Sequence, residues 1–141
     1  GELWCWGWDE HAQLGSACPG ATSCPTPVRL SAILPIAFES VASGSQSFAA
    51  CAGGSDGSVQ CWGSIQGMPG LFAGGSVTVE QPSARDVGEP LRGIATSGLY
   101  GCGITEDGGV VCWGVDDRAQ LGRGAPSTTP GAPGRVLLPT L

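Results

Sequence analysis

Seven cysteines in a chain of 141 residues are the first candidates for chemistry: Cys5, Cys18, Cys24, Cys51, Cys61, Cys102 and Cys112. Usage this heavy means either disulfides in an oxidising compartment or thiolate ligands for a metal. A catalytic thiol needs a base within reach, and His11 is the only histidine in the chain. Metal binding wants tighter spacing with further Cys or His nearby, so Cys18 and Cys24 in "CPGATSCP" read as a local disulfide across a loop. Two acidic pairs remain, Asp9-Glu10 and Asp116-Asp117. Neither continues into the Gly-x5-Glu run of an EF-hand loop, so both read as turn residues bonding their own backbone. Adjacent carboxylates on an extended chain point to opposite sides, which removes them as an acid–base pair.

The elements that position the cysteines follow from an internal repeat. "CAGGSDGSVQCWG" (51–63) and "CGITEDGGVVCWG" (102–114) share Cys, Asp-Gly, Val and Cys-Trp-Gly in the same order. Each cysteine pair is ten residues apart. Asp56-Gly57 and Asp107-Gly108 are hairpin-turn dipeptides, since such turns need positive φ. A three-residue loop centred on the aspartate sets the two cysteines opposite each other. A two-residue turn would instead oppose Ala52 to Cys61. Directly opposed residues approach closely enough for a disulfide once strand twist helps. The pairing expected is therefore Cys51 with Cys61 and Cys102 with Cys112. The opening "LWCWG" (3–7) is the tail of the same unit, so Cys5 occupies a second-cysteine position. Its partner is expected ten residues upstream of it, before Gly1, which leaves Cys5 unpaired and structural in origin. Arg118 stands where His11 stands in the first unit, which argues against His11 as a base.

Cys-Trp-Gly recurs at spacings of 56 and 51 residues, the size of one propeller blade. After it come loops, "WDEHAQLG" (8–15) and "VDDRAQLGRG" (115–124). Proline-bearing segments follow at 24–30, 80–87 and 131–139, suited to strand starts or sheet edges. Then come "FESVASG" (38–44) and "LRGIATSG" (91–98), leading to the first cysteine. "LSAILPIAF" (30–38) reads as a loop followed by a buried strand. Each unit thus offers about four short strands, with no helix period anywhere.

This grammar resembles the regulator-of-chromosome-condensation repeat family, whose members form β-propellers. The likeness rests on Asp-Gly-x-Val-x-Cys-Trp-Gly at 56–63 and 107–114, and on Gln-Leu-Gly at 13–15 and 120–122. The paired cysteines resemble bacterial, exported members. The second unit departs: it lacks Gln-Leu-Gly and reads "SIQGMPGLFAGG" at 64–75. The family's frequent His before the first cysteine is replaced by Ala50 and Gly101. The resemblance implies an all-β chain holding about two to three blades of a larger propeller of about seven. On this reading residues 1–35 are the tail of a first repeat, 36–90 a second and 91–141 a third.

Composition narrows the function. The chain is Gly-rich (25) and Pro-rich (11), with a formal charge of −6, no Lys and no Asn. No basic run offers the footprint for a nucleic-acid backbone, and no Asn-linked glycan acceptor exists. No apolar run approaches the roughly 20 residues of a membrane span. A signal could precede Gly1 in a longer precursor. One His, one Tyr and no Lys leave little for an enzyme to converge on. The function expected is a non-catalytic scaffold, secreted or at the cell surface, that binds a protein or surface ligand with no cofactor and no metal. The alternatives are regulation of a small GTPase, as the family's namesake implies, and a propeller enzyme. Ile65, Met68, Leu71 and Phe72 are the ligand-contact candidates, because adaptable Met and rigid aromatic groups suit interfaces. Against that, Leu71 and Phe72 could tuck between blades in place of the contacts of Leu14 and Leu121.

Overall fold

The computed structural model describes residues 1–15, 18, 20–30, 36–44, 48–64, 78–97 and 99–139. Three antiparallel sheets follow one another along the chain. The first pairs β1 (Trp4–Trp8) with β2 (Ser23–Arg29). The second contains β3 (Phe38–Ser43), β4 (Ala49–Gly54), β5 (Val59–Ser64) and β6 (Thr78–Arg85), side by side in that order. The third repeats the arrangement with β7 (Leu91–Thr96), β8 (Tyr100–Thr105), β9 (Val110–Asp116) and β10 (Ser127–Arg135).

The central hairpins are set by their turns. The Gly54 N–H donates to the Ser58 carbonyl at 2.9 Å and the Gly57 N–H to the Gly54 carbonyl at 3.0 Å. Ser55-Asp56-Gly57 is thus a three-residue loop, with Gly57 at φ +80°, where a side chain would be strained. The Asp56 carboxylate accepts the Ser58 N–H at 3.0 Å and braces the loop. Glu106-Asp107-Gly108 forms the same loop in the next hairpin, closed by Thr105 N–H to the Gly109 carbonyl at 3.0 Å. The register that results places Cys51 opposite Cys61 and Cys102 opposite Cys112. Each pair is disulfide-bonded with Cα atoms 4.1 Å apart.

Proline sorts the strands within each sheet. Pro25 and Pro27 lie in β2, Pro82 in β6, and Pro130 and Pro133 in β10. All three strands are at a sheet edge, where a missing N–H breaks no ladder on the open side. The opposite edges converge, since β7 packs against both β3 and β4. The sheets therefore radiate like blades, with β3 and β7 innermost. That placement corrects one expectation. The strand after "LSAILPIAF" is only half buried: Phe38 is inside, but Val41 is 61% exposed. Val41 lies in the open groove between this sheet and β1, where no further strand among the described residues covers it.

Two apolar layers hold the blades together. Leu3, Leu30, Phe38, Ala50, Ala52 and Trp62 fill the space between the first and second sheets. The Cys51–Cys61 bridge, Val59, Leu91, Val111 and Trp113 fill the space between the second and third. Each central hairpin thus has two unlike faces. Its tryptophan faces the blade before, and its disulfide faces the blade after. Trp62 and Trp113 are fully buried, so truncating either to Ala should cost about 3–5 kcal/mol.

Candidate protein-contact face

The loops after β1 and β9 are built alike and fix one end of the molecule. Asp9 Oδ1 accepts the Leu14 N–H at 2.8 Å, and Asp116 Oδ1 accepts the Leu121 N–H at 2.9 Å. Gln13 Oε1 accepts the His11 N–H, and Gln120 Oε1 accepts the Arg118 N–H. Ala12 and Ala119 adopt φ of 58° and 60°, a left-handed step shared by both loops. These turns bury Leu14 and Leu121 and aim residues 11 and 118 outward. The Trp62 indole N–H docks onto the first loop, donating to the Gln13 carbonyl at 2.8 Å. Asp9 and Asp116 are thereby occupied with backbone N–H groups. Among the described residues no three His, Cys, Asp or Glu gather as a metal site.

Two features stand on this end. His11 packs against Phe48 with ring centroids 4.2 Å apart, and Trp8 packs against His11 at 5.3 Å and Phe48 at 6.0 Å. Trp8 stays 47% exposed. His11 is therefore a member of an aromatic cluster. Beside the cluster, between the second and third blades, lies an open groove of about 690 Å³. Leu99, Tyr100, Asp117, Arg118 and Gln120 line it. Aromatic and Arg side chains over a rigid frame are the composition of protein-contact surfaces. Sequence reasoning missed the cluster, though one signal was present. His11 and Arg118 differ at a position whose surrounding loop is otherwise the same, which marks an outward residue.

The opposite end carries ionic contacts. Arg135 reaches both Glu89 and Asp107, the latter at 2.9 Å. The Thr105 hydroxyl, the Arg135 guanidinium and the Gly109 N–H hold the Asp107 carboxyl well below the usual carboxylate range. Glu89 is lowered chiefly by Arg135, and Asp56 chiefly by the Ser58 hydroxyl. Arg135 is itself held more firmly charged, by Glu89 and then Asp107.

Cys18 and Cys24 are bridged, with Cα atoms 6.0 Å apart. Cys5 is free and half-buried beside the first apolar layer. Burial, then the Asp9 charge, pushes its thiol pKa upward, the opposite of what a reactive cysteine needs. Ile65, Met68, Leu71 and Phe72 lie outside the described residues.

Residues 1–51 match the family described as Regulator of chromosome condensation (RCC1) repeat. The chain is 32% identical over 126 residues to the E3 ubiquitin-protein ligase HERC2 of Homo sapiens, and equally to that of Mus musculus. Those alignments take in 86% of this chain and 2% of the relatives. Among solved structures, yeast RCC1 (Prp20) bound to Kap60 matches 96% of the chain with a TM-score of 0.77 and 19% identity. Prp20p of Saccharomyces cerevisiae, described with its binding properties to Gsp1p and histones, also gives a TM-score of 0.77. Human WBSCR16 matches 97% with a TM-score of 0.80 and 21% identity. The chain spans about a third of each of these three structures. Its opening segment is similar to an RCC1 repeat, and the chain has the fold of part of an RCC1-type β-propeller.

Proposed function

We propose that the chain is a non-catalytic, exported propeller segment that binds a protein or surface ligand through its loop end. The observation that carries this reading is the exposed Trp8–His11–Phe48 cluster beside the groove of Tyr100 and Arg118. Among the described residues, Phe38, Trp62 and Trp113 are instead buried in the layers between blades. Ile65, Met68, Leu71 and Phe72, outside the described residues, remain contact candidates on the grounds of their side-chain chemistry alone. No metal or cofactor takes part, and neither nucleic acid nor bilayer is a target, given the charge of −6.

The placement outside the cytoplasm rests on three cysteine pairs bridged within short loops, bonds that a reducing cytosol does not sustain. A second reading is regulation of a small GTPase, favoured by the likeness to Prp20p and its binding to Gsp1p. One measurement separates the two. Protein taken from its producing cells without reductant is alkylated and mapped by mass spectrometry. Labelling of Cys5 alone supports the exported module. Labelling of all seven cysteines overturns it and leaves the GTPase reading, which a nucleotide-release assay then tests.

A further inference from the structure

The chain contains no asparagine, so it has no N-linked acceptor and its hydroxyls are what a sugar could be joined to. Hydroxyl residues and prolines meet in two short stretches, "TSCPTP" (22–27) and "APSTTPGAP" (125–133). Serine and threonine among prolines is the composition of O-glycosylated segments. Both stretches run along outermost strands, β2 and β10. Elsewhere hydroxyls are spent inside the fold: Thr105 donates to Asp107, Ser58 to Asp56 and Ser97 to the Tyr100 carbonyl. Thr26 and Thr128 are exposed, and among the described residues no hydrogen bond occupies either hydroxyl.

Thr26 lies between Pro25 and Pro27 on the outer edge of its sheet. A residue that precedes proline is held extended, and the proline rings leave the open side of the strand without a ladder. The exposure of this position belongs to the blade itself. β6 has a blade on either side, and there Gln81 stands where Thr26 stands, two residues before the partner of the second cysteine (Val28 opposite Cys5, Ser83 opposite Cys61). Gln81 is exposed as well. In β10 the outward step is a bulge. β10 advances four residues, from Ser127 to Gly131, while β9 advances two, from Asp116 to Gly114. The surplus chain carries Thr128 and Thr129 outward, ahead of Pro130, and Thr129 shares its hydroxyl with Ser127. We propose that Thr26 and Thr128 are O-glycosylation sites, modified by a transferase that reads extended threonine segments flanked by proline. The donor is a sugar whose anomeric carbon is esterified to phosphate. The threonine Oγ1 attacks that carbon, and the bond from carbon to the phosphate oxygen breaks with its electron pair going to phosphate. The hydroxyl proton passes to a base of the transferase, and a glycosidic bond to threonine replaces the phosphate ester. A sugar there covers an unpaired strand edge, a task for which other sheets use Lys, absent from this chain. The inference rests on the exported placement proposed above and not on the loop end.

The test is the mass of the full chain taken from its producing cells, measured before and after mild alkaline β-elimination. Increments of whole sugars above the sequence mass are expected. Elimination should remove them and leave dehydrobutyrine at positions 26 and 128, located by peptide fragmentation. Thr26→Val should lose the increment on its peptide, and Thr26→Ser should keep it, because serine retains the hydroxyl. An unmodified mass, sugars confined to other residues, or a phosphate increment at these threonines would overturn the inference. Cysteine alkylation of the same sample keeps the two readings apart. Three bridged pairs without sugar overturn this inference alone. Seven labelled cysteines with sugar present overturn the exported placement and leave the modification standing.

Discussion

Gln60 is the residue that fits its surroundings least. Its side chain is fully buried on the face of β5 turned toward the first blade, and neither its Nε2 nor its Oε1 has a hydrogen-bond partner among the described residues. Val111 holds the same place one repeat later and is almost as buried. Burying an amide without a partner costs about 1–3 kcal/mol. Gln60→Val should therefore raise stability by about 1 kcal/mol or more, seen as a higher midpoint in urea. A lower midpoint would show that the amide is held by a contact outside the described residues. Asp116 is the opposite case, a buried carboxylate with a defined task. Asp116→Ala releases the Leu121 N–H and should cost about 1.5–3 kcal/mol. At the other end, pH is the lever. Asp107 and Glu89 have carboxyl pKa values lowered by folding, from ordinary values of 3.8 and 4.5. The unfolded chain therefore binds more protons in acid. Their contribution is complete above those ordinary values and is lost as pH falls through the folded ones. Arg135→Gln removes a partner common to both carboxylates. The difference in melting temperature between wild type and Arg135→Gln should be constant above about pH 5 and shrink toward zero in stronger acid. A difference independent of pH would mean that Arg135 acts by packing alone. Added salt should reduce it too, because these groups are exposed.

At the scale of elements, the hairpins show why some features were legible and others were not. The cysteine spacing and the Asp-Gly dipeptides lie within one loop, so local turn geometry alone fixed which residues face each other. The prolines of β2, β6 and β10 carried a second local signal, since an imide cannot serve in the middle of a ladder. Contacts between units left no such trace. The Trp62 indole bonds to a carbonyl 49 residues away. Trp8, His11 and Phe48 meet only because β1 and β4 belong to neighbouring blades. The exposure of Val41 likewise follows from where β3 lies in the assembled array, and nothing within its own six residues reveals it. The disulfides allow a direct test of how much each hairpin relies on its cross-link. Replacing Cys51 and Cys61 together with Ala should lower stability by about 2–3 kcal/mol through the freedom returned to the unfolded loop. Denaturation of the double variant measures this, and an unchanged midpoint would place hairpin stability entirely in the apolar layers.

Over the whole molecule, the charge of −6 opposes the pull of an exposed tryptophan stripe. Trp4, Trp6 and Trp8 are each at least 47% exposed along β1, an apolar surface of the kind that drives association. Near the pI of 4.4 the net repulsion vanishes. The sedimentation coefficient should therefore rise with concentration near that pH, and also in high salt at neutral pH. It should stay flat at neutral pH in low salt. Trp6→Ser should suppress the rise, and an identical rise in that variant would place the contact elsewhere. The unlike faces of the central hairpins, tryptophan before and disulfide after, carry a further consequence. The array has a direction, as a row of one-way bricks does. Any new unit gained by duplication of a whole repeat arrives with both halves of the joint already cut to match, so such a protein can lengthen without inventing an interface. A unit inserted in the reverse sense would meet its neighbour with two like faces and find no seat.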